Sequence, residues 1–169
     1  MDNRLAQPKD FLVSVRPKYA AKILDGEKTV ELRRRFPDAG SAGATLFIYS
    51  SSPIRALVGH AKIKYVQKLG VSELWKEHSD AACISRKDFY SYFSGVTFGF
   101  AIMLGRVKPM IRVTASDLES QFGIVPPQSY RYLAKNFLSL IANEQLQAVS
   151  RHKHSDCARR PAARSSVAG

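Results

Sequence analysis

Apolar and polar residues alternate along several stretches of the chain, which is the pattern of strands that bury one face. The alternation predicts strands at residues 11–16, 54–69 and 98–107, and a run of consecutive apolar residues predicts a strand covered on both sides at 45–50. Gly59, inside the longest of these stretches, is typical of a bulge or a close backbone approach. We therefore predict a sheet that curls into a small β-barrel.

Apolar residues at helical spacing predict helices between and after these strands. One spans residues 17–25, and two more, at 71–78 and 85–93, form an insertion rich in aromatic residues. We expect these aromatic residues to form a packed core rather than a stacking surface for bases. We expect irregular structure at residues 111–125, followed by a C-terminal helix with Ser129 as its cap or a first-turn residue. Strands and flanking helices together predict an α+β fold.

The two ends of the chain lack such patterns. Residues 1–10 are polar, so we expect an N-terminal arm, and residues 146–169 are rich in Arg, Ala, Ser, Pro and His, so we expect a disordered basic tail. The folded domain is then predicted at 11–145. Three tail residues have only loosely metal-like spacing: His152, His154 and Cys157. We predict no metal site and no cofactor.

The composition is that of a single globular domain rather than of a membrane or secreted protein. The chain has 169 residues and 45% hydrophobic residues, which fits one ordinary globular domain. No run of 18 apolar residues exists and no signal-type segment follows Met1, so we expect a cytoplasmic protein without a membrane partner. The two cysteines, Cys83 and Cys157, form no disulfide framework, which agrees with that compartment.

The charge of the chain points to a partner. Its formal net charge is +12, and such an excess favours a polyanion, most often nucleic acid. Residues 148–169 hold only five of the 26 basic and one of the 14 acidic residues, so most of the excess lies on the part predicted to fold. A basic tail by itself therefore does not explain the charge, although charge alone does not distinguish RNA from DNA or a membrane surface.

The segment at residues 26–35, GEKTVELRRR, concentrates candidate chemistry where a predicted helix gives way to a strand. Strand alternation would place Thr29, Glu31, Arg33 and Arg35 on one face, with Lys28 emerging at the end of the helix. Glu31 would then hold the Arg33 guanidinium in a fixed orientation for a phosphate or a base edge. The alternative is an ordinary surface ion pair, worth at most about 1 kcal/mol.

Other polar residues could join this segment in a cleft that binds an anion. They belong to the first strand, to the serine cluster after the strand at 45–50, to the basic face of the strand at 54–69, and to the start of the predicted C-terminal helix, where free amides favour an anion. These candidates are Ser14, Arg16, Ser51, Ser52, Lys62, Lys64, Gln128, Ser129 and Arg131. Ordinary turn and helix capping is the alternative for the serines.

The sequence resembles the ASCH domain family of the PUA-like superfamily in these motifs and in their order. The resemblance rests on Ser-Val-Arg-Pro at 14–17, on Gly-x-Lys-Thr-x-Glu-x-Arg-Arg at 26–34, on Ser-Ser-Pro at 51–53, and on Pro-Pro-Gln-Ser-Tyr-Arg-Tyr-Leu at 126–133. It implies a small, mostly antiparallel β-barrel with helices flanking a cleft. It also implies a link to RNA binding and RNA processing.

Three functions are compatible with these observations. The first is an RNA-binding domain that recognises a nucleotide or phosphate in a basic cleft. The second is a hydrolase, either a ribonuclease or an enzyme acting on a modified nucleoside such as N4-acetylcytidine, with Lys28 and Glu31 as catalytic residues. By the resemblance, Lys28 matches the lysine of the amidohydrolases, but Glu31 occupies the threonine position and the acid position falls near Ala82. The third is a regulatory domain whose basic surface meets an acidic protein.

Overall fold

The computed structural model describes residues 9–144. Most of the predicted arm, the last residue of the predicted domain and the whole predicted tail at 146–169 therefore lie outside the described part of the chain. The chain divides into two compact units after Leu133. The first unit contains, in order, β1 (Asp10–Val15), α1 (Pro17–Leu24), β2 (Val30–Arg33), β3 (Thr45–Ser50), β4 (Ala56–Gly70), α2 (Val71–His78), α3 (Arg86–Tyr92), β5 (Phe98–Thr114), α4 (Ala115–Phe122) and β6 (Tyr130–Leu133). In the second unit, residues 137–144 form helix α5.

One six-stranded sheet organises the first unit, in the order β2-β5-β4-β3-β1-β6. The pair β1 and β3 is parallel, and every other neighbouring pair is antiparallel. The predicted α+β, mostly antiparallel architecture is confirmed. The sheet is barrel-like rather than closed, because β2 and β6 are its edges.

The curled sheet has two apolar faces with different coverings. Its inner face forms the main core, with fully buried residues such as Val13, Ile48 and Ile102. Its outer face beside β2 and β5 packs against the insertion of α2 and α3, where Phe89 and Phe93 are buried. The prediction that the aromatic insertion is a packed core is therefore confirmed for Trp75, Phe89 and Phe93, whereas Tyr90 and Tyr92 are exposed.

Gly59 allows the close approach that the sequence predicts. A Cβ at this position would lie 2.5 Å from the Leu24 side chain and 2.8 Å from the backbone oxygen of Lys108. The register of β4 against β5 shifts on either side of Gly59, which pairs with Pro109. Since bulged strands bend and twist more strongly, these shifts help the sheet to curl.

The prediction for the segment after residue 107 is wrong in two respects. Pro109 does not end the strand, because β5 continues to Thr114 and the proline sits at the irregular register. The predicted irregular passage instead contains helix α4, whose N-terminus is capped by the Thr114 hydroxyl accepting from the backbone N–H of Asp117 at 3.1 Å. The Thr-x-x-Asp spacing is a capping signal that could have revealed this helix.

The predicted C-terminal helix does not begin at Ser129. Residues 130–133 form β6, which pairs antiparallel with β1 and places Tyr130 opposite Val13. Tyr130 and Tyr132 both turn their rings toward Phe11, at centroid distances of 6.2 and 5.2 Å, which is the two-residue period of a strand. The anion site expected at a helix N-terminus is therefore absent at Ser129.

Candidate functional site

Strand β2 turns its charged residues inward. Glu31 lies opposite Ile102 of β5, and Arg33 lies opposite Phe100, and both of these partners belong to the inner core. The two charged side chains are only 6% and 5% exposed. The predicted alternation of β2 is correct, but the alternative of an ordinary surface ion pair is wrong.

A single carboxylate joins two cations on this inner face. Glu31 approaches the Lys28 ammonium at 3.3 Å through one oxygen and the Arg33 guanidinium at 3.1 Å through the other. Lys28, 4% exposed, also donates to the backbone oxygens of Val30 at 2.7 Å and Ala82 at 2.9 Å. We call Lys28, Glu31 and Arg33 the buried charge cluster. Its lysine is fully engaged, because its three N–H groups meet three acceptors.

Arg33 connects the two edges of the sheet. Its Nη2 donates to the backbone oxygen of Ser14 at 2.8 Å and its Nη1 to the backbone oxygen of Ser129 at 3.3 Å. The same oxygen of Ser129 accepts from the backbone N–H of Ser14 at 3.1 Å. Arg33 therefore spans the gap between β2 and the edge formed by β1 and β6, which we call the seam. Its buried Nε has no hydrogen-bond partner in the described part of the chain.

Aromatic packing also crosses the seam. The ring of Phe36, which follows β2, lies 4.8 Å from Phe11 of β1 and 5.2 Å from Tyr130 of β6 between centroids. Phe36 and Phe11 are buried in the main core. Apolar packing therefore joins the same strands that Arg33 links by hydrogen bonds.

Several predicted polar residues lie around the exposed end of the seam. The Ser14 hydroxyl donates to the backbone oxygen of Pro127, and the backbone N–H of Ser51 donates to Val15 at 2.9 Å. Because β1 and β3 run parallel, their carboxyl ends meet here. We call the surrounding polar residues the rim: Ser14, Arg16, Ser51, Ser52, Gln128 and Ser129. Of these, Ser14 and Ser51 are half-buried, and the other four are exposed.

The remaining predicted candidates lie elsewhere or turn away. Arg35 follows the end of β2 and is exposed, so it does not share the face of Arg33. Lys62 donates to Thr45 at 2.9 Å and Lys64 lies over Gly105, while Arg131 donates to the backbone oxygen of Val125 at 3.1 Å. These four basic residues are separate from the buried charge cluster.

Residues 13–126 match the ASCH domain. This chain belongs to the ASCH domain family. A relative from Zymomonas mobilis, named ASCH domain-containing ribonuclease, is 30% identical over 128 residues, which cover 75% of this chain and 86% of the relative. The family resemblance expected from the sequence is thereby confirmed.

Solved structures agree with the assignment to the ASCH domain family. The crystal structure of ASCH from Zymomonas mobilis superposes with a TM-score of 0.74 and 28% identity, covering 80% of this chain and 94% of that one. A hypothetical protein from Leishmania major shares the fold at a TM-score of 0.54 and 15% identity, covering 85% and 99%. Among the described residues of this ASCH domain, no helix is long and apolar enough to cross a membrane.

The described part of this ASCH domain protein has no group of side chains arranged as metal ligands. Residues 9–144 contain no group of three His, Cys, Asp or Glu side chains placed to hold an ion. The tail residues with loosely metal-like spacing, His152, His154 and Cys157, lie outside the described residues.

Sequence reasoning missed a second set of contacts beside the buried charge cluster. The ring of Tyr19 on α1 lies 5.4 Å from the Lys28 ammonium, and its hydroxyl donates to Asp88 on α3 at 3.1 Å. Lys18 also donates to Asp88, at 2.8 Å. Burial raises the pKa of Tyr19. Hydrogen bonds from Lys18, Tyr19 and Ser85 lower the pKa of Asp88. The sequence indicated only that Asp88 belongs to the capping motif that begins with Ser85, and not that it contacts Lys18 and Tyr19.

Proposed function

We propose that this ASCH domain protein binds RNA at the end of the seam, with the buried charge cluster recognising a phosphate or a base edge. The observation that supports this is the charge balance of Lys28, Glu31 and Arg33. Two cations face one carboxylate at positions no more than 6% exposed. Buried ions are costly unless they are compensated, so one uncompensated positive charge favours an anionic ligand.

The geometry of Arg33 fits this role. Glu31 and the backbone oxygen of Ser14 both contact Nη2 of the guanidinium, and the backbone oxygen of Ser129 accepts from Nη1. An arginine held in this way loses little conformational entropy when it binds a phosphate or a base edge. Its Nε is buried and has no hydrogen-bond partner among the described residues. The rim adds the exposed Arg16 and the exposed Ser129 around it.

RNA is the polyanion we favour because of the family relative. The Zymomonas mobilis protein is named a ribonuclease and shares 30% identity over most of its length. The net charge of +12 supports the same choice, since phosphate neutralisation drives binding to nucleic acids.

A second candidate function, cleavage of the bound RNA, is favoured by the same relative. In this function the buried charge cluster would stabilise negative charge that develops on the phosphate during cleavage. Both oxygens of Glu31 are occupied by cations and all three N–H groups of Lys28 are engaged. We therefore assign these two residues to electrostatic positioning rather than to proton transfer.

Hydrolysis of N4-acetylcytidine has less support. The resemblance places the acid of the amidohydrolases near Ala82, and this alanine offers Lys28 only its backbone oxygen, at 2.9 Å. Without a carboxylate there, the site has no base of that kind to activate water. We do not propose this activity.

Binding of a fluorescent single-stranded RNA to the full chain tests the proposal. Arg16→Gln removes an exposed rim charge without disturbing the fold, and we expect it to weaken binding severalfold. Arg86→Gln is the matched control, because Arg86 is exposed on α3 and the substitution removes the same charge. Equal affinity of the two variants, or no binding by the unmodified protein, would contradict the proposal. Gel analysis of the same RNA tests cleavage separately.

A further inference from the structure

The two longest strands of the sheet contain no acidic residue. Strands β4 and β5 span 15 and 17 residues and carry basic residues along their length. These basic residues are Lys62, Lys64, Lys68, Arg106, Lys108 and Arg112, and all six are exposed. None of them forms an ion pair with a carboxylate among the described residues. The ribbon of β4 and β5 is therefore strongly and uniformly positive.

Three of these cations share the outer face of the curled sheet. Ala61, Ile63 and Val107 belong to the inner core or pack against it. Because neighbouring strand residues point to opposite faces, the lysines next to them point outward. We call these lysines the outer-face cluster: Lys62, Lys64 and Lys108. Arg106 has a positive φ of 41° at an irregular register of β5, so alternation does not place its side chain.

The local backbone brings the outer-face cluster together. Lys62 lies opposite Gly105, and Lys108 lies opposite His60 in the register of β4 and β5. A Cβ at Gly105 would meet the Lys64 side chain at 2.8 Å, so the glycine allows the lysine stem to lie flat across β5. Two strands thus place three lysines on one surface that is not part of the buried charge cluster.

The pKa of His60 depends on the charges of this surface. Its ring lies 5.8 Å from that of Phe47. Burial lowers the pKa of His60, and the charges of Lys108 and Lys62 lower it further. The opposing carboxylate is Asp10, which is buried and accepts from the backbone N–H of Thr45 at 2.7 Å.

We propose that the outer-face cluster binds the phosphate backbone of RNA, as a second contact surface beyond the rim. The choice of RNA rests on the proposed function. A strip dominated by lysine suits a polyanion with repeated charges, because phosphate contacts release counterions. Lysine is depleted in protein–protein interfaces, which makes an acidic protein the less suitable occupant.

The salt dependence of RNA binding tests this surface. The variant Lys64→Gln/Lys108→Gln removes two of its charges and leaves Lys62, which bonds to Thr45, in place. Loss of two phosphate contacts should lower the slope of log Kd against log salt by about 1.4, at about 0.7 per contact for a single strand. The control Lys76→Gln/Lys87→Gln removes two exposed charges from α2 and α3, and it should leave the slope unchanged.

Several outcomes would overturn the inference. A slope equal to that of the control would do so. So would tighter binding of polyglutamate or of anionic lipid vesicles than of RNA at matched charge, if the two substitutions abolish that binding and leave RNA binding unchanged. Failure of the proposed function is distinguishable, because it would appear as no RNA binding by the unmodified protein or no effect of Arg16→Gln.

A spectroscopic measurement checks the same surface directly. The imidazole signals of His60, identified with His60→Gln, give its pKa by NMR titration with and without RNA. Phosphates beside Lys62 and Lys108 favour the protonated ring, so the pKa of His60 should rise when RNA binds. An unchanged pKa in the presence of saturating RNA would place the backbone elsewhere.

Discussion

Arg33 donates to the backbone oxygen of Ser14 at 2.8 Å and so links two strands, β2 and β1, that share no ladder of hydrogen bonds. Arg33 thus links strands across the open side of the barrel-like sheet. It is also the residue that we propose recognises an anionic ligand. The fold and the proposed site therefore depend on the same guanidinium, and its substitution should affect stability as well as binding.

Arg33→Lys should destabilise the protein. Lysine keeps the charge but cannot hold Glu31, Ser14 and Ser129 with one planar fork. Loss of one or two of these buried hydrogen bonds should cost about 1–3 kcal/mol in the free energy of unfolding, measured with urea. Arg34→Lys is the control, because the Arg34 side chain is exposed and donates to the backbone oxygen of Ser94 at 3.2 Å on the surface, and its effect should be small.

Glu31→Gln should be more damaging, because it leaves Lys28 and Arg33 buried without a counter-charge. Breaking a buried ion pair from one side costs about 3–5 kcal/mol. Combining it with Lys28→Met should recover part of the loss, and a double-mutant cycle in urea measures the coupling. Additive effects would contradict the paired arrangement of these residues.

Gly59→Ala should destabilise the packing of α1 against the sheet. The added Cβ would meet the Leu24 side chain and the backbone of Lys108, at 2.5 and 2.8 Å, and the backbone cannot rotate away. Overpacking of this kind costs about 1–3 kcal/mol. At Gly70 the nearest atom is the flexible Glu73 carboxylate at 3.2 Å, so thermal unfolding should show a smaller effect for Gly70→Ala.

Acid should weaken the contact between α1 and α3. Hydrogen bonds from Lys18, Tyr19 and Ser85 lower the pKa of Asp88 below its ordinary value of 3.8. The folded state therefore binds fewer protons than the unfolded state in this range. The stabilisation is present above pH 3.8 and is lost as the pH falls through the folded pKa. Urea titrations from pH 6 to pH 2.5 should show this loss in the unmodified protein, and Asp88→Asn should lack that component.

The sequence predicted local structure well where one residue type dictates it. Pro17 begins α1, Gly26 follows its end with a positive φ of 80°, and β3 occupies the predicted residues 45–50. The alternation of Glu31 and Arg33 against their apolar neighbours was also correct. These features depend on backbone preferences within a few residues.

The errors arose where distant partners decide the structure. Alternation cannot tell which face of β2 is buried, and Arg33 reaches Ser129 across 96 positions of sequence. The short stretch at 130–133 fits a helix or a strand equally well until β1 is available to pair with it. The roles assigned to the candidate site residues stay predictions.

The Nε–H group of Arg33 offers the most direct test of the central claim. Its NMR resonance, identified by its absence in Arg33→Lys, reports on a buried donor without a partner in the described part of the chain. Titration with a short single-stranded RNA should shift this resonance strongly and saturably, because a phosphate bound at the rim changes the electrostatic field at the adjacent guanidinium. Saturable RNA binding that leaves the Arg33 resonance unchanged and shifts only exposed arginines would contradict the account.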